Sequence, residues 1–276
     1  MLSFLHTFQP QAILISYGHI TIHWYGLFIV SGILAALAIS FWLAKYYEVD
    51  PDLIFDLSFW LIIGGIAGAR LYDIGLQLPY YYEHPGQILA IWKGGLAIHG
   101  SILAGLAIIW LFSKRHKIDF WRLSSLLVPG LVIGQAIGRW GNYFNQELFG
   151  LPTSLPWGIP IDLANRPWQY IGSSFFHPTF LYESLGCLAI GLALIIWNVR
   201  SDKKRADRKG FYVCSVSAYM ILYSLLRFSL EFIRIDDAPV IAGLRWPQIA
   251  SLILIILFTL LLKKQHAKTK KTVGQE

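Results

Sequence analysis

The stretch 134-GQAIGRWGNYFNQELFG-150 places polar side chains at the end of a long apolar run. Gln135, Arg139 and Asn142 recur at i, i+4 and i+7, and they therefore share one face of a helix. Polar residues then continue as far as Glu147. Because polar groups at membrane depth are costly, they usually serve a function. The stretch therefore predicts a membrane helix that carries part of a functional site.

The composition agrees with a membrane protein. Of the 276 residues, 55% are hydrophobic and only 14% are charged, whereas a soluble domain carries about 25% charged residues. Apolar runs of about 17–25 residues are long enough to cross a bilayer. We count seven such spans, at residues 21–44, 53–72, 94–112, 124–142, 178–198, 211–232 and 247–262.

This pattern predicts an all-α, polytopic fold made of a single integral membrane domain over residues 1–276. The longest segment between two spans, at about 143–177, is rich in Pro and aromatic residues and is expected to form a small extracytoplasmic cap. The chain ends in a basic tail at about 263–276. We expect this tail to be solvated next to anionic lipid.

The basic residues set the orientation. Most of the 23 Lys and Arg residues fall in short loops that share one side of the membrane if there are seven spans. That side is the cytoplasm, so the N-terminus is predicted outside and the C-terminus inside. Basic residues in short loops do not make the soluble basic face that nucleic-acid binding requires. The remaining basic residues lie within spans or on the outer side and are candidates for function: Arg70, Lys93, Arg139, Arg166, Arg227, Arg234 and Arg245.

The sixth span carries a second polar stripe. Tyr223, Arg227, Glu231 and Arg234 recur at i, i+4, i+8 and i+11, which places them on one helical face. One alternative is that Arg227 and Glu231 only neutralise each other. Two arginine-bearing stripes nevertheless favour a converging, positively charged pocket, because the planar guanidinium group binds phosphate well.

Two alternatives concern structural roles for the other charged groups. Arg139 on its own is compatible with a side chain that snorkels to the interface and pairs with Glu147. Arg70 and Asp73, at i and i+3, are most simply explained as an internal salt bridge.

His99, in "KGGLAIHGS", lies between glycines that permit close backbone approach. It is either a helix–helix hydrogen-bonding group or a general base, since a neutral imidazole can take a proton from a thiol or hydroxyl. No short-spaced set of metal ligands and no phosphate-binding glycine loop is present in the sequence. We therefore expect neither a metal nor a soluble cofactor.

Five stretches together resemble the bacterial phosphatidylglycerol–prolipoprotein diacylglyceryl transferases, in the order of that family and with its seven-span topology. The most specific is "GRWGNYFNQELFG" at 138–150, and Ser101 stands where the family often has Gly. The other four are "IHWYG" at 22–26, "HGS" at 99–101, "HPTFLYES" at 177–184 and "RFSLEFIR" at 227–234.

The resemblance implies a reaction. The diacylglyceryl group of phosphatidylglycerol moves to the lipobox cysteine of a prolipoprotein, a thioether forms and glycerol phosphate leaves. This is the first step of bacterial lipoprotein maturation. The implied partners are phosphatidylglycerol, signal peptides with a lipobox cysteine and the lipid bilayer, with no nucleic acid. The implied location is the cytoplasmic (inner) membrane, with the active site toward the outer leaflet.

The resemblance also suggests roles for residues. His99 is the candidate base, and Arg139 and Arg227 are expected to clamp the phosphate and stabilise charge on the leaving oxygen. Six further residues are predicted to bind substrate or support the residues that do: Tyr25, Asn142, Glu147, Gly150, Tyr223 and Glu231.

Three other functions remain open from the residues alone. A transporter for an anionic solute predicts two related halves with broken helices, and no convincing similarity between halves is evident. A non-catalytic membrane scaffold predicts that Arg139→Lys is tolerated, whereas a phosphate-clamping enzyme needs the bidentate fork. A different lipid-headgroup enzyme, such as a phosphotransferase, is disfavoured only by the family resemblance.

Overall fold

A computed structural model of the chain describes residues 2–18, 20–201 and 208–273. Within these ranges the fold is mostly helical, as predicted. The described α-helices are α1 (Leu2–Thr7), α2 (Trp24–Tyr46), α3 (Pro51–Leu76), α4 (Leu78–Glu83), α5 (Ile98–His116), α6 (Phe120–Phe144), α7 (Thr179–Arg200), α8 (Arg208–Leu230) and α9 (Trp246–Val273). Short 3₁₀ turns lie between α4 and α5 and between α6 and α7.

The fold also contains short antiparallel strand pairs, which the all-α prediction did not include. In the described residues these are β1 (Ile13–Tyr17) with β2 (Ile20–His23), β3 (Ile159–Pro160) with β4 (Phe175–Phe176), and β5 (Val240–Ile241) with β6 (Leu244–Arg245). Each pair joins segments that lie outside the long helices. The strands therefore order the connections and leave the helical architecture unchanged.

Six helices in the described part of the chain are long and apolar enough to cross a membrane, namely α2, α3, α6, α7, α8 and α9. The protein is therefore a multi-pass membrane protein. The third predicted span corresponds to α5, which has 19 residues and carries Lys114, Arg115 and His116 in its last turn. These residues and His99 in the first turn lower its apolarity. The seven-span count and the orientation stay predictions.

Most helix boundaries differ by a few residues or more from those read from hydropathy, and three of the differences bear on the predicted site. α2 begins at Trp24 and not at residue 21, because the preceding residues pair with β1, with Ile13 opposite His23. α5 begins at Ile98 and not at residue 94, because Gly94 and Gly95 have φ angles of +93° and +69°, which a helix does not allow.

The end of α8 also differs. This helix ends at Leu230, two residues before the predicted limit of 232. Glu231 and Arg234 therefore lie in the turn that follows the helix, and the polar stripe predicted on one helical face is wrong beyond the helix end. Arg234 pairs instead with Gly150 in an isolated antiparallel bridge, which draws the backbone away from the helical path.

The chain divides into two compact units. The first unit contains residues Met1–Ile39 and Leu127–Glu276, and the second unit contains Ser40–Leu126. The single membrane domain expected from the sequence stays a prediction.

In the first unit, small residues bring α2 and α6 into backbone contact. A Cβ atom added to Gly130 would lie 2.5 Å from the carbonyl oxygen of Ala36, and one added to Gly134 would lie 2.9 Å from that of Gly32. Such close approach is the usual reason for glycines on membrane-helix interfaces. It holds in place the helix that carries Arg139.

The second unit is built on a similar contact between α3 and α5. A Cβ atom added to Gly100 would lie 2.1 Å from the carbonyl oxygen of Gly68. α3 itself begins with Pro51 in its first turn, and the side chain of Asp50 accepts a hydrogen bond of 3.0 Å from the backbone N–H of Asp52. Both features favour a helix start.

Residues 145–178, between α6 and α7, form a folded segment. Its polar anchor is Gln146, whose Nε2 donates to the carbonyl of Pro10 at 3.0 Å and to Asp162 Oδ2 at 2.7 Å. The apolar side chains pack into one cluster of Leu5, Tyr143, Phe149, Ile159, Ile161, Phe176 and Phe180. α1 contributes to this cluster through Leu5, so the start of the chain is tied to the segment.

Candidate active site

Glu183, on α7, is a carboxylate shared by several partners in the first unit. Its Oε1 lies 2.7 Å from Nη2 of Arg139 and accepts a 3.0 Å hydrogen bond from the Tyr223 hydroxyl. Its Oε2 lies 3.7 Å from Nη1 of Arg234. A buried carboxylate without partners would be strongly unfavourable. Glu183 therefore ties α6, α8 and the turn after α8 to one point.

Arg139 has a second set of contacts within the motif that follows it. Its Nη1 donates to Oδ1 of Asn142 at 3.3 Å, and Nδ2 of Asn142 donates to Oε1 of Glu147 at 2.7 Å. The buried amide of Asn142 therefore lies between the guanidinium and the second carboxylate. The direct Arg139–Glu147 pair considered from the sequence is replaced by this relay and by the ion pair with Glu183.

Glu231 is a second shared carboxylate. Its Oε2 lies 2.7 Å from Nη1 of Arg227 and 3.9 Å from Nε of Arg234, and its Oε1 lies 3.2 Å from Nε of Arg245. Mutual neutralisation of Arg227 and Glu231 is therefore real, but it describes only part of the arrangement. One carboxylate faces three arginines, so Arg227 is held without being fully neutralised.

Arg245, on β6, fastens the turn after α8. Its guanidinium donates to the backbone carbonyls of Glu231 at 3.4 Å, of Arg234 at 2.6 Å and of Asp236. Arg234 Nε also donates to Asp236 Oδ1 at 2.7 Å. Burial would raise the pKa of Asp236, but the hydrogen bond from Arg234 and the charges of Arg234, Arg245 and Arg227 outweigh it and hold this pKa below its ordinary range.

In both ion pairs the arginine side chain is more exposed than the glutamate side chain. The Arg139 and Arg227 side chains are 23% and 18% exposed, whereas those of Glu183 and Glu231 are 1% and 0% exposed. The Arg234 side chain is 4% exposed and belongs to the buried layer. The two carboxylates are thus buried, whereas the arginine side chains paired with them are partly exposed. Partly exposed arginines held by buried carboxylates suit the binding of an anion.

Gly150, predicted to bind substrate, lies where two backbone segments meet. Its N–H donates to the carbonyl of His177 at 2.9 Å. A Cβ atom at this position would lie 2.8 Å from the carbonyl oxygen of Ile233 and 2.9 Å from Cβ of His177. The contacts explain why a glycine is required for packing. A binding role for it stays a prediction.

Tyr25, on α2, is 38% exposed and packs over a glycine of α6. A Cβ atom on Gly141 would lie 2.8 Å from Cδ2 of Tyr25. Gly141 is part of the "GRWGNYF" motif, so one function of that glycine is to accommodate the tyrosine ring. Substrate contact by Tyr25 stays a prediction.

His99 belongs to the second unit. It lies exposed in the first turn of α5, and its ring stacks on Tyr72 of α3 with centroids 5.8 Å apart and an interplanar angle of 29°. The structure therefore brings the predicted site residues Arg139, Asn142, Glu147, Tyr223, Arg227 and Glu231 into one first-unit network, while His99 is held by contacts within the second unit.

Sequence reasoning did not identify the shared position of Glu183 or the anchoring role of Arg245. Glu183 carried a usable signal, because a lone carboxylate within an apolar span is expected to have a partner. Arg245 had been singled out only as a basic residue on the disfavoured side. In the part of the chain that the structure describes, no group of three or more His, Cys, Asp or Glu side chains is arranged to hold a metal ion.

Comparison with known proteins identifies close relatives. Residues 12–263 match the family model described as prolipoprotein diacylglyceryl transferase. A Synechococcus elongatus protein named phosphatidylglycerol–prolipoprotein diacylglyceryl transferase is 46% identical over 249 residues, which is 90% of this chain and 84% of the relative. Relatives with the same name from Nostoc sp. and Synechocystis sp. are 44% and 41% identical, covering 91% and 93% of this chain and 87% and 90% of their own lengths.

Proposed function

Since this chain belongs to the prolipoprotein diacylglyceryl transferase family, it is a transferase of lipoprotein biosynthesis, and we propose that the network around Glu183 and Glu231 is the phosphate-binding part of its active site. The family match confirms the resemblance and the enzyme class expected from the sequence. The substrates that the relatives are named for are phosphatidylglycerol and a prolipoprotein.

The proposed reaction takes place at the carbon of the diacylated glycerol that is bonded to the phosphate oxygen. The lipobox cysteine thiolate forms a carbon–sulfur bond to the diacylglyceryl group, and the carbon–oxygen bond to the phosphate breaks. Glycerol phosphate leaves as an anion, and the thiol proton passes to a base. Charge therefore develops on the leaving phosphate oxygen, and donors aimed at that oxygen would lower the barrier.

The observation that carries the proposal is the unequal exposure within the two ion pairs. The side chains of Arg139 and Arg227 are partly exposed, whereas their carboxylate partners are buried. A phosphodiester is a natural ligand for such groups, because Arg can donate two parallel hydrogen bonds to it. The buried Glu183 and Glu231 would hold both guanidinium groups in place before the lipid arrives.

The remaining first-unit residues take supporting roles. Asn142 bridges Arg139 and Glu147. We therefore assign Asn142 and Glu147 to orienting the Arg139 guanidinium and contacting the glycerol hydroxyls of the headgroup. Tyr223, which donates to Glu183, is a headgroup contact or a support for that carboxylate. Gly150 and Tyr25 shape the space for the lipid.

His99 is the proposed proton acceptor. A cysteine thiol with a pKa of about 8.5 is mostly protonated near neutral pH and needs a base to become nucleophilic. Imidazole is the side chain best suited to this step. His99 is exposed at the start of α5, so its ring is accessible to a substrate.

The topology completes the proposal. α5 is taken as a membrane span in addition to the six long apolar helices, which brings the count to seven. The basic loops and the tail then lie in the cytoplasm and the N-terminus lies outside. In that orientation residues 143–177 cap the outer surface of a bacterial inner membrane. The polar network then faces the outer leaflet, where the lipobox of a secreted prolipoprotein arrives.

The test uses the purified protein in detergent with phosphatidylglycerol and a synthetic peptide that contains a lipobox cysteine. Mass spectrometry should detect a diacylglyceryl adduct on this peptide and none on a matched peptide with serine in place of cysteine. If a relative assayed in parallel gives the adduct and this protein gives none, the proposed reaction is wrong and transport of an anionic solute becomes the next assay.

A further inference from the structure

Arg70 is a buried arginine of α3 whose guanidinium is occupied by backbone. Its Nε donates to the carbonyl of Ile88 at 2.9 Å, and its Nη1 donates to the carbonyls of Gly94 and Gly95, each at 2.8 Å. Its Nη2 donates to the carbonyl of Gln87. One side chain thus gathers two stretches of the connection between α4 and α5.

The carboxylate next to Arg70 contributes less than the sequence suggested. Asp73 Oδ2 lies 3.9 Å from Nη1 of Arg70, at the long end of a salt bridge. The same carboxylate accepts a 2.7 Å hydrogen bond from the Tyr81 hydroxyl and one of 3.1 Å from Gln77 Nε2. Backbone carbonyls therefore accept most of the hydrogen bonds that the Arg70 guanidinium donates. Binding several carbonyls at once requires the fixed fork of five N–H donors that arginine has.

The connection held by Arg70 leads directly into the helix turn that carries His99. The backbone N–H of Ala97 donates to the carbonyl of Ala69 at 3.2 Å, one residue before Arg70. The imidazole of His99 stacks on Tyr72, two residues after Arg70. One turn of α3 therefore holds Ala97, the residue before α5, and contacts the ring of His99, all within the second unit.

We propose that Arg70 is a positioning residue for the transfer reaction, because it holds the segment 87–97 in the conformation that places His99. The proposal rests on the base role assigned to His99 above. Reacting groups must be held closely, and a displacement of about 1 Å can lower a rate by about 100-fold. Arg70 itself does not touch the reacting atoms.

Two variants disturb the same contact from its two sides. Arg70→Lys keeps the charge but replaces the fork with a single ammonium group. Gly95→Ala keeps Arg70 but would place a Cβ atom 2.3 Å from its Nη1, at a φ of +69°. Gly86→Ala is the matched control on the same connection, because no atom lies within 4 Å of the added Cβ.

The expected result is a change in turnover and not in lipid binding. Arg70→Lys and Gly95→Ala should each lower kcat by at least about tenfold and leave the KM for phosphatidylglycerol within about twofold. Gly86→Ala should behave as the wild type in the same peptide assay. Equal kcat in Gly95→Ala, Arg70→Lys and the wild type would overturn the proposal.

A double-mutant cycle with His99→Ala separates positioning from general stability. If Arg70 acts through His99, adding Arg70→Lys to His99→Ala should lower the remaining kcat less than twofold. If Arg70→Lys lowers kcat by the same factor in the wild type and in His99→Ala, the positioning role is overturned and the base assignment stays intact. A near-normal kcat in His99→Ala alone would instead remove the base assignment. If Arg70→Lys does not fold, Gly95→Ala in both backgrounds gives the same decision.

Discussion

Arg139 and Glu183 form an ion pair between α6 and α7 in which Nη2 lies 2.7 Å from Oε1, and only the arginine reaches the surface, with 23% of its side chain exposed against 1% for the glutamate. A pair of this kind holds the guanidinium in place and leaves part of the arginine side chain exposed. It therefore suits the binding of an anion better than a mutually buried pair would.

The first prediction concerns the guanidinium fork of Arg139. Arg139→Lys preserves the charge and the ion pair with Glu183 but loses parallel donation to a phosphate. We expect kcat/KM for phosphatidylglycerol to fall by about 100-fold or more, as when one oxyanion donor is removed. Arg139→Ala should abolish the transfer while the protein still inserts in the membrane.

Arg200→Lys is the control for this experiment, because Arg200 is exposed at the end of α7. Its activity in the mass-spectrometric assay should equal that of the wild type. Retention of most of the activity by Arg139→Lys would favour a scaffold whose polar residues only join helices.

The second prediction concerns the stability provided by Glu183. Glu183→Gln removes a charge that faces Arg139 and Arg234 and leaves both guanidinium groups underpaired. Breaking a buried pair from one side costs about 3–5 kcal/mol, so the free energy of unfolding should fall by about that amount in a detergent denaturation series. Glu83→Gln, at an exposed position, should change it by less than about 0.5 kcal/mol. Equal stabilities would show that Glu183 is not needed to neutralise the cluster.

The third prediction tests the contact between α2 and α6. Gly130→Ala would place a Cβ atom 2.5 Å from the carbonyl oxygen of Ala36, which belongs to the backbone and cannot rotate away. Overpacking of this kind costs about 1–3 kcal/mol. Gly65→Ala, also within a helix but with no atom within 4 Å of the added Cβ, should be neutral or slightly stabilising. Thermal unfolding of the two purified variants compares them directly, and a Gly130→Ala variant as stable as Gly65→Ala would contradict the close contact.

The fourth prediction concerns Asp236 and pH. Its pKa is held below the ordinary 3.8 by Arg234, Arg245 and Arg227, despite the opposing effect of burial. A carboxyl group with a lowered pKa in the folded state stabilises the fold above its unfolded pKa, and the stabilisation is lost as the pH falls through the folded value. The stability difference between the wild type and Asp236→Asn should therefore be largest near pH 6 and should shrink below about pH 4.

The measurement for Asp236 is the melting temperature of both proteins across this range, with Asp237→Asn as the neighbouring control. The wild type and Asp237→Asn should share the same loss of stability at low pH, and Asp236→Asn should lack part of it. A difference between the wild type and Asp236→Asn that stays constant from pH 6 to below pH 4 would contradict the assigned ion pairs.

The sequence predicted the long apolar helices well, because hydropathy reports burial in lipid directly. It placed the start of α5 too early, since hydropathy does not report that Gly94 and Gly95 adopt positive φ angles. It also extended α8 through Glu231 and Arg234, because the i, i+4 spacing continued while the backbone turned away to pair with Gly150. Local periodicity cannot report a backbone contact made with a residue about 80 positions away in the chain.

The sequence predicted which residues belong to the site better than it predicted the contacts between them. Arg139, Asn142 and Glu147 were recognised as a group from one short motif, and the structure joins them in a relay. Glu183 lies on another helix, and only the fold shows that it is shared by Arg139, Tyr223 and Arg234. The carbonyl contacts of Arg70 were equally invisible, because backbone acceptors leave no residue-specific signal in a sequence.

The most direct test of the central claim is the affinity of the purified protein for phosphatidylglycerol, measured by native mass spectrometry against zwitterionic phosphatidylcholine. The wild type should bind phosphatidylglycerol preferentially, and the double variant Arg139→Lys, Arg227→Lys should bind it at least about tenfold more weakly with its affinity for phosphatidylcholine unchanged. An unchanged affinity for phosphatidylglycerol in the double variant would contradict the claim that these two guanidinium groups bind the headgroup phosphate.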